Sequence, residues 1–413
     1  MTRLLVVHYT PPGVVGGVES IIHEHARILT ERGYEVDVVA GREAGPGISA
    51  HVLPDVNVAG EQARRVDAAL SAGVVSPGFW SLRDRITADL APLAAGTDVL
   101  IVHNAYTLHF NLPLTAALWD IARTRGPGST IAWCHDLSWV NPLYMPRMRA
   151  GFPWSLLRLP APNVVYVVIS EERRRELEAL WGANGTSIAV IPNGIDPARF
   201  LRLSPEIQAV VERYRLYERD AVLLLPVRIT RRKNLEAGIK AIRALVEQGR
   251  DPVFLVSGPQ APHHPGLSDT YLEELLSLAG ELGVEDRIVF LARDLGRTLE
   301  TDEINQLYSV CDALLFPSAQ EGFGLPILEA GLARVPAIVS DIPVFGEVGD
   351  ADVWQFDPAA AADTIASVIV EALSGRPSRL YRRVLTRYRW DAIVDTDLLP
   401  LLDAGAWRTP NPA

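Results

Sequence analysis

Two glutamates flank a glycine-rich turn in the second half of this 413-residue chain, in the stretch Glu321-Gly-Phe-Gly-Leu-Pro-Ile-Leu-Glu329. Gly322 and Gly324 allow the backbone to pass close to a ligand, and Pro326 suits the first position of a helix. The free N–H groups at such a helix start favour a phosphate, whereas carboxylates accept hydrogen bonds from hydroxyl groups. The stretch therefore predicts a site for a ligand with phosphates in its middle and polyols on both sides, a nucleotide-sugar. The alternative is an ordinary turn with solvated glutamates.

A basic pair, Arg228 and Lys233, lies across another predicted strand-to-helix turn. The two side chains can converge on one anion, and charge-assisted hydrogen bonds of this kind contribute roughly 1.5–3 kcal/mol each. Only two of the 39 basic side chains are lysines, which gives Lys233 added weight. A solvated basic turn is the competing interpretation.

Short apolar runs must position these groups, and they recur along the whole chain with helical patterns between them. Such runs are typical of buried parallel strands in doubly wound α/β sheets. The loop after the first strand lacks the G-x-G-x-x-G spacing of dinucleotide-binding folds, which disfavours a Rossmann dehydrogenase. The runs predicted as strands include residues 4–7, 99–102, 131–134, 164–169, 222–227, 254–256, 288–291 and 313–316.

The nonapeptide resembles the donor-site signature of retaining glycosyltransferases of family 4, and similarity to that family extends over essentially the whole chain. The resemblance implies the GT-B fold, an α/β architecture of two facing Rossmann-like domains with parallel sheets, a cleft between them and a C-terminal helix that crosses back. We expect an acceptor-side domain over residues 1–198, a donor domain over residues 199–387, and the returning helix with a tail over residues 388–413.

The resemblance also implies roles for individual residues. Arg228 and Lys233 would hold the diphosphate and neutralise the departing nucleotide. Glu321 would accept from hydroxyls of the sugar, close to the amides of Phe323, Gly324 and Leu325. Glu329 would accept from the ribose hydroxyls.

Further donor contacts are implied at three other turns. The loop with Gly16 and Gly17 would lie against the diphosphate, unless it is a plain turn. Gly258 matches a glycine turn near the donor. Arg293 follows a strand where the family places the nucleobase, although residues 293–301 replace a shorter family loop.

His135 and Asp136 end a predicted strand, where ligands gather in open α/β sheets. The family has a histidine here near the transferred sugar and acceptor, so His135 could contact either, relay a proton, or be structural. Cys134 beside it is interpreted as a small buried hydrophobe rather than a nucleophile. The aromatic and basic loop 138–158, which includes Trp139, is interpreted as acceptor-side; a membrane-facing or merely packed loop is the alternative.

Composition limits the partners. A net charge of −11 argues against nucleic-acid binding. Two cysteines imply no disulfide framework, and no run suits a signal peptide or membrane span, so we expect a cytoplasmic protein, at most peripheral at the inner membrane face. The two D-x-D motifs, Asp350-Ala-Asp352 and Asp395-Thr-Asp397, are interpreted as surface residues, not metal ligands.

The predicted activity is transfer of a hexose from a UDP- or GDP-sugar to an acceptor hydroxyl with retention, with no cofactor and no metal. The acceptor is a sugar, a lipid-linked molecule or a small molecule. A GT-B nucleotide-sugar epimerase or hydrolase, and a non-catalytic nucleotide-sugar binding protein, are the alternatives. The sugar, the base and the oligomeric state stay open.

Overall fold

The computed structural model describes residues 1–13, 16–44, 50–182, 186–259 and 265–403. The chain divides into two compact units. The first comprises Met1–Gly194 and the C-terminal segment from Tyr388, and the second comprises Ile195–Arg387.

Each unit is built around one parallel β-sheet. The first sheet has the order β3-β2-β1-β4-β5-β6-β7 and the second has the order β10-β9-β8-β11-β12-β13. The strands of the first unit are β1 (Arg3–Val7), β2 (Glu35–Ala40), β3 (His51–Val52), β4 (Val99–His103), β5 (Thr130–Cys134), β6 (Val164–Val168) and β7 (Ile188–Val190). Those of the second are β8 (Ala221–Leu225), β9 (Pro252–Val256), β10 (Ile288–Phe290), β11 (Ala313–Phe316), β12 (Ala337–Ser340) and β13 (Trp354–Phe356).

Helices connect the strands and cover the sheets. In chain order they are α1 (Gly17–Glu31), α2 (Glu61–Ser71), α3 (Pro77–Ala95), α4 (Leu112–Thr124), α5 (Glu171–Trp181), α6 (Pro197–Phe200), α7 (Pro205–Arg213), α8 (Leu235–Glu247), α9 (Pro265–Glu281), α10 (Leu291–Asp294), α11 (Thr301–Val310), α12 (Leu325–Ala333), α13 (Pro343–Gly349), α14 (Ala362–Leu373), α15 (Arg376–Arg387), α16 (Trp390–Ile393) and α17 (Leu399–Asp403). Within the described ranges, no helix is both long and apolar enough to cross a bilayer.

The central strands are apolar on both faces because helices cover both sides of a doubly wound sheet. All residues of β4, β5, β8, β9 and β11 are buried. The predicted α/β class with two Rossmann-like domains is thereby confirmed.

The C-terminal segment returns to the first unit, as predicted. Trp390 is buried and meets His25 of α1 edge to face, with ring centroids 4.9 Å apart. A Cβ on Gly194 would lie 2.7 Å from the Trp390 ring, so the backbone can pass there only as glycine. Asp395, in a D-x-D motif, forms a two-pronged salt bridge with Arg32 at 2.9 Å.

Candidate functional site

In the second unit, the topological switch point of the sheet lies between β8 and β11. These two strands are neighbours, yet the strands that follow each of them add to opposite edges of the sheet. Loops at such a switch point diverge and leave a crevice at the carboxyl ends of the strands, where ligands bind in open α/β sheets. The loop after β8 carries Arg228 to Lys233, and the loop after β11 carries Ser318 to Gly324.

A buried ion pair joins these two loops. Lys233 Nζ contacts Glu321 Oε1, and the side chains are only 9% and 8% exposed. Ser318 Oγ donates to the same Glu321 oxygen at 2.7 Å. The backbone N–H of Ala319 donates to the carbonyl of Arg232 at 2.9 Å. The structure therefore brings Lys233 and Glu321 together, as one linked group.

The environment of Lys233 is apolar on one side. Its ammonium lies 5.2 Å from the centre of the Phe316 ring. Burial lowers the pKa of Lys233, while the hydrogen bond that it donates to Glu321 acts in the opposite direction. Arg232 Nη1 lies 3.6 Å from the second Glu321 oxygen, so the carboxylate has cations on both sides.

Arg228 differs from Lys233 in being exposed. Among the described residues it forms no ion pair, so its guanidinium is available to a ligand. Gly258, which follows β9, lies directly against this point: a Cβ there would fall 2.1 Å from the Val227 carbonyl oxygen and 2.7 Å from the Arg228 nitrogen. Glycine is required because the two strand-end loops touch backbone to backbone.

The glycine turn predicted before α12 is present. Gly324 is its N-cap with φ of 99°, a conformation that favours glycine, and a Cβ there would also meet the Phe345 ring at 2.9 Å. Gly322 faces open space, and Phe323 and Leu325 are exposed. The first N–H groups of α12 are thus uncovered at the switch point, which suits an anion.

Glu329 is placed on α12 and exposed, unlike Glu321. The buried Tyr308 of α11 donates its hydroxyl to Glu329 Oε2 at 2.9 Å. The same hydroxyl lies 3.3 Å from the Pro326 carbonyl. The carboxylate is therefore held on one side and free on the other to accept from a ligand.

Arg293 lies on α10, a short helix that follows β10 directly, and not in a loop as the sequence suggested. Its side chain is exposed, and no ion pair forms there within the described part of the chain. Its contact with a base stays a prediction.

In the first unit, the corresponding switch point lies between β1 and β4. Gly16 is the N-cap of α1 and has extended backbone, and a Cβ there would clash with the Glu19 side chain at 2.1 Å. Gly17 has open space around it. Glu19 accepts from Thr10 and lies 3.9 Å from His8, so an acidic group shares this helix start. Diphosphate contact at the two glycines stays a prediction.

His135 follows β5 and is 9% exposed. Its backbone N–H donates to Asn104 Oδ1 at 2.9 Å, and its Nε2 lies 3.0 Å from His103 Nδ1. Burial lowers the pKa of His135 to about 3, so the imidazole is neutral at physiological pH.

Asp136 and Trp139 have partners inside their own loop. Asp136 accepts from the Leu137 backbone at 2.8 Å and from Asn141 Nδ2 at 2.7 Å. The Trp139 indole donates to the Trp154 carbonyl at 3.0 Å, and its ring lies under a guanidinium, that of Arg158. These contacts give both side chains a structural role, and acceptor binding by them stays a prediction.

Cys134 is 1% exposed, and burial raises the pKa of its thiol to about 12. The thiolate needed for a nucleophile is therefore absent at neutral pH. Three further residues join the candidate site that the sequence did not single out: Ser318, Tyr308 and His103. The position of His103 at the end of an apolar strand was the one available signal.

Two family models match this chain, one in each half. A model described as "Glycosyl transferases group 1" matches residues 207–385, and one described as "Glycosyltransferase Family 4" matches residues 15–199. Fold and matches together define a glycosyltransferase. The chain belongs to glycosyltransferase family 4, with the GT-B fold.

Individual relatives are more distant. An uncharacterized glycosyltransferase of Methanocaldococcus jannaschii is 29% identical over 410 residues, 95% of this chain and 96% of that one. A mannosylglucosylglycerate synthase of Thermotoga maritima is 24% identical over 370 residues, 83% and 81% of the two chains. One from Petrotoga mobilis is 28% identical over 274 residues, and the match spans only 60% of either protein.

Proposed function

We propose that this glycosyltransferase moves a hexose from a UDP- or GDP-sugar to an acceptor hydroxyl, with retention at the anomeric carbon and without a metal. The observation that carries the proposal is the linked pair Lys233–Glu321 at the switch point of the second sheet. The exposed Arg228 and the open start of α12 follow the adjacent strands β8 and β11.

The charges suit a departing diphosphate. Arg228, Lys233 and the N–H groups at the start of α12 stabilise negative charge as the bond from the anomeric carbon to the phosphate oxygen breaks. Arginine binds phosphate oxygens in a two-pronged way, and lysine binds them as a point charge. These groups supply the neutralisation that Mg²⁺ supplies in other enzymes.

The surroundings of Glu321 support retention without a covalent intermediate on that residue. One of its oxygens is engaged by both Lys233 and Ser318, which weakens it as a nucleophile. A carboxylate held this way suits hydrogen bonds from sugar hydroxyls. The acceptor hydroxyl then attacks on the face from which the phosphate leaves.

The acceptor class is proposed from the names of relatives. These include a 2-deoxystreptamine glucosyltransferase and a D-inositol 3-phosphate glycosyltransferase, 29% and 27% identical over the matched residues. We propose a small polyhydroxylated acceptor, and screening begins with those two compounds and with glucosylglycerate.

The donor is tested by thermal shift with UDP, GDP and their hexose conjugates, because a ligand that binds only the folded state raises its stability. Arg228→Ala should abolish most of the shift. Arg383→Ala is the matched control, because Arg383 is exposed and forms no ion pair in the described residues of the second unit. Equal shifts in both variants would contradict the assignment of the site.

Activity with the best donor is then followed by NMR of the anomeric proton, with EDTA added to a parallel sample. Retention and undiminished turnover in EDTA are expected. An inverted product, or sugar released equally fast without any acceptor, would replace the proposed transferase with an inverting enzyme or a hydrolase.

A further inference from the structure

Four buried histidines gather at the carboxyl ends of β1, β4 and β5, next to the predicted acceptor side. His103 lies at the centre, and its ring centroid is 5.3 Å from that of His135, 5.9 Å from that of His25 and 6.3 Å from that of His8. The sequence drew attention to His135 alone. The function of His103 must therefore be considered together with that of His135.

His103 and His135 share one hydrogen bond in the plane of their rings. The Nδ1 atom of His103 lies 3.0 Å from Nε2 of His135, and the two rings are only 17° from parallel. Rings that meet nitrogen to nitrogen and lie nearly in one plane are joined edge to edge, and not face to face. A single proton must lie between the two nitrogens, and both rings are buried and neutral, so its donor fixes both tautomers.

The other nitrogen of His103 shows which tautomer is favoured. His103 Nε2 is fully buried and has no hydrogen-bond partner among the described residues. A proton there would be a buried N–H group without an acceptor. Buried N–H groups without an acceptor are rarer than unpaired lone pairs. The proton of His103 therefore belongs on Nδ1, where it donates to His135.

We propose that His103 is a positioning residue that fixes His135 with its proton on Nδ1, so that His135 presents an N–H donor to the ligand and not a basic nitrogen. Nε2 of His135 is occupied as an acceptor, and the backbone N–H is held by Asn104. Nδ1 is the ring nitrogen that forms no hydrogen bond within the described residues.

The chemical consequence rests on the proposed function. A donor at His135 can bind an oxygen of the sugar, the acceptor or the phosphate, but it cannot take the proton of the acceptor hydroxyl. In the transfer, the acceptor oxygen bonds to the anomeric carbon and the bond from that carbon to the phosphate oxygen breaks. The proton of the acceptor then goes to the leaving phosphate oxygen, with no protein base.

The tautomer is measured directly, without substrate, by long-range ¹H–¹⁵N NMR of protein labelled at its nine histidines. The signals of His135 are assigned as those lost in His135→Asn. We expect protonated Nδ1 and unprotonated Nε2 for His135. The opposite pattern in the wild-type protein would overturn the proposal, whatever the activity.

Variants of His103 give the second readout. His103→Asn can place an amide N–H near the Nδ1 position, so we expect it to keep the His135 tautomer and at least a third of wild-type kcat. His103→Leu removes the N–H group that donates to His135. We expect a mixed His135 tautomer and a kcat at least tenfold lower, with the KM for the nucleotide-sugar within threefold of the wild-type value. His23→Leu, outside the cluster, should change neither. An unchanged tautomer in folded His103→Leu would overturn the proposal.

The proposed role of His103 and the proposed function can each be refuted without refuting the other. A correct tautomer in a protein that transfers no sugar would remove the proposed function and leave the role of His103 intact. Transfer by an enzyme whose His135 carries its proton on Nε2 would do the reverse.

Discussion

Removing Lys233 alone should destabilise the second unit more than removing both partners of its ion pair. Lys233→Met keeps the length of the side chain but leaves the Glu321 carboxylate, 8% exposed, without its nearest cation. Breaking a buried pair in this way costs about 3–5 kcal/mol. Ser318 still donates at 2.7 Å and Arg232 is still 3.6 Å away, so we expect the lower end, about 3 kcal/mol.

The double variant Lys233→Met/Glu321→Gln carries no charge at either position, and its amide can still accept from Ser318. Replacing both members of a buried pair by neutral groups is often nearly neutral. We expect a loss of about 1 kcal/mol, so the double variant should be about 2 kcal/mol more stable than Lys233→Met.

Hydrogen exchange in increasing urea provides the assay, since the peptides covering β8 and β11 report on the second unit alone. Lys240→Met is the control: it replaces the other lysine of the chain, which is exposed on α8. Such a surface change should stay within about 0.5 kcal/mol. If Lys233→Met costs no more than Lys240→Met, or the double variant is as unstable as the single one, the buried ion pair is not what holds the two loops together.

Three further changes have expected outcomes. Arg228→Ala should lower kcat/KM roughly 10- to 150-fold, from the loss of 1.5–3 kcal/mol of charge-assisted bonding, without altering stability. Tyr308→Phe removes the hydroxyl that orients Glu329, and should weaken nucleotide binding in calorimetry by about 5- to 10-fold with kcat little changed. The free energy of unfolding should fall as pH drops below about 6.5, because the unfolded chain protonates its histidines while His25 stays neutral. Burial lowers the pKa of His25 to about 3, so this residue alone contributes a loss of about 1.4 kcal/mol per pH unit towards that value; His25→Leu should make urea midpoints fall less steeply between about pH 6.5 and 4.5, and the other buried histidines should keep part of the slope.

Each of these three predictions would be contradicted by a specific result. Unaltered kinetics in Arg228→Ala would remove that residue from the site. A Tyr308→Phe enzyme that binds nucleotide as tightly as the wild type would show that Glu329 needs no orienting partner. A pH slope that is the same with and without His25 would mean that other groups govern acid stability.

The strand pattern was predictable because it depends on local apolar runs and on turn residues. The start of α12 is an example: the glycines, Pro326 and the preceding apolar strand predict a strand-to-helix turn, and Gly324 has the left-handed backbone that explains its residue type. Gly322 lies in open space, so its residue type has no steric explanation in the protein alone.

The partners of the site residues were not predictable, because they depend on which side chains meet across the fold. Lys233 and Glu321 are 88 residues apart in sequence, and His103 and His135 are 32 apart. The sequence predicts that these residues lie at the ends of strands or in the turns after them, but not which strands are neighbours or that the lysine contacts the carboxylate. Tyr308 gives no sequence signal, since a tyrosine in an amphipathic helix is most often only part of the core.

The ion pair changes how substitutions at the site must be interpreted. Glu321 is held partly by Lys233, so Lys233→Ala would remove a proposed phosphate ligand and at the same time loosen the carboxylate that is proposed to bind the sugar. Arg228 has no such partner among the described residues, so its removal should affect the proposed phosphate contact alone. A larger kcat/KM loss in Lys233→Ala than in Arg228→Ala would therefore measure the orientation of Glu321 as well as charge. Lys233→Met/Glu321→Gln would separate the two effects, because the neutral amide introduced by Glu321→Gln needs no cation beside it, keeps the hydrogen bond from Ser318 and can still bind hydroxyl groups. If that double variant is no more active than Lys233→Met, the orientation of Glu321 contributes nothing and the lysine acts on the phosphate alone.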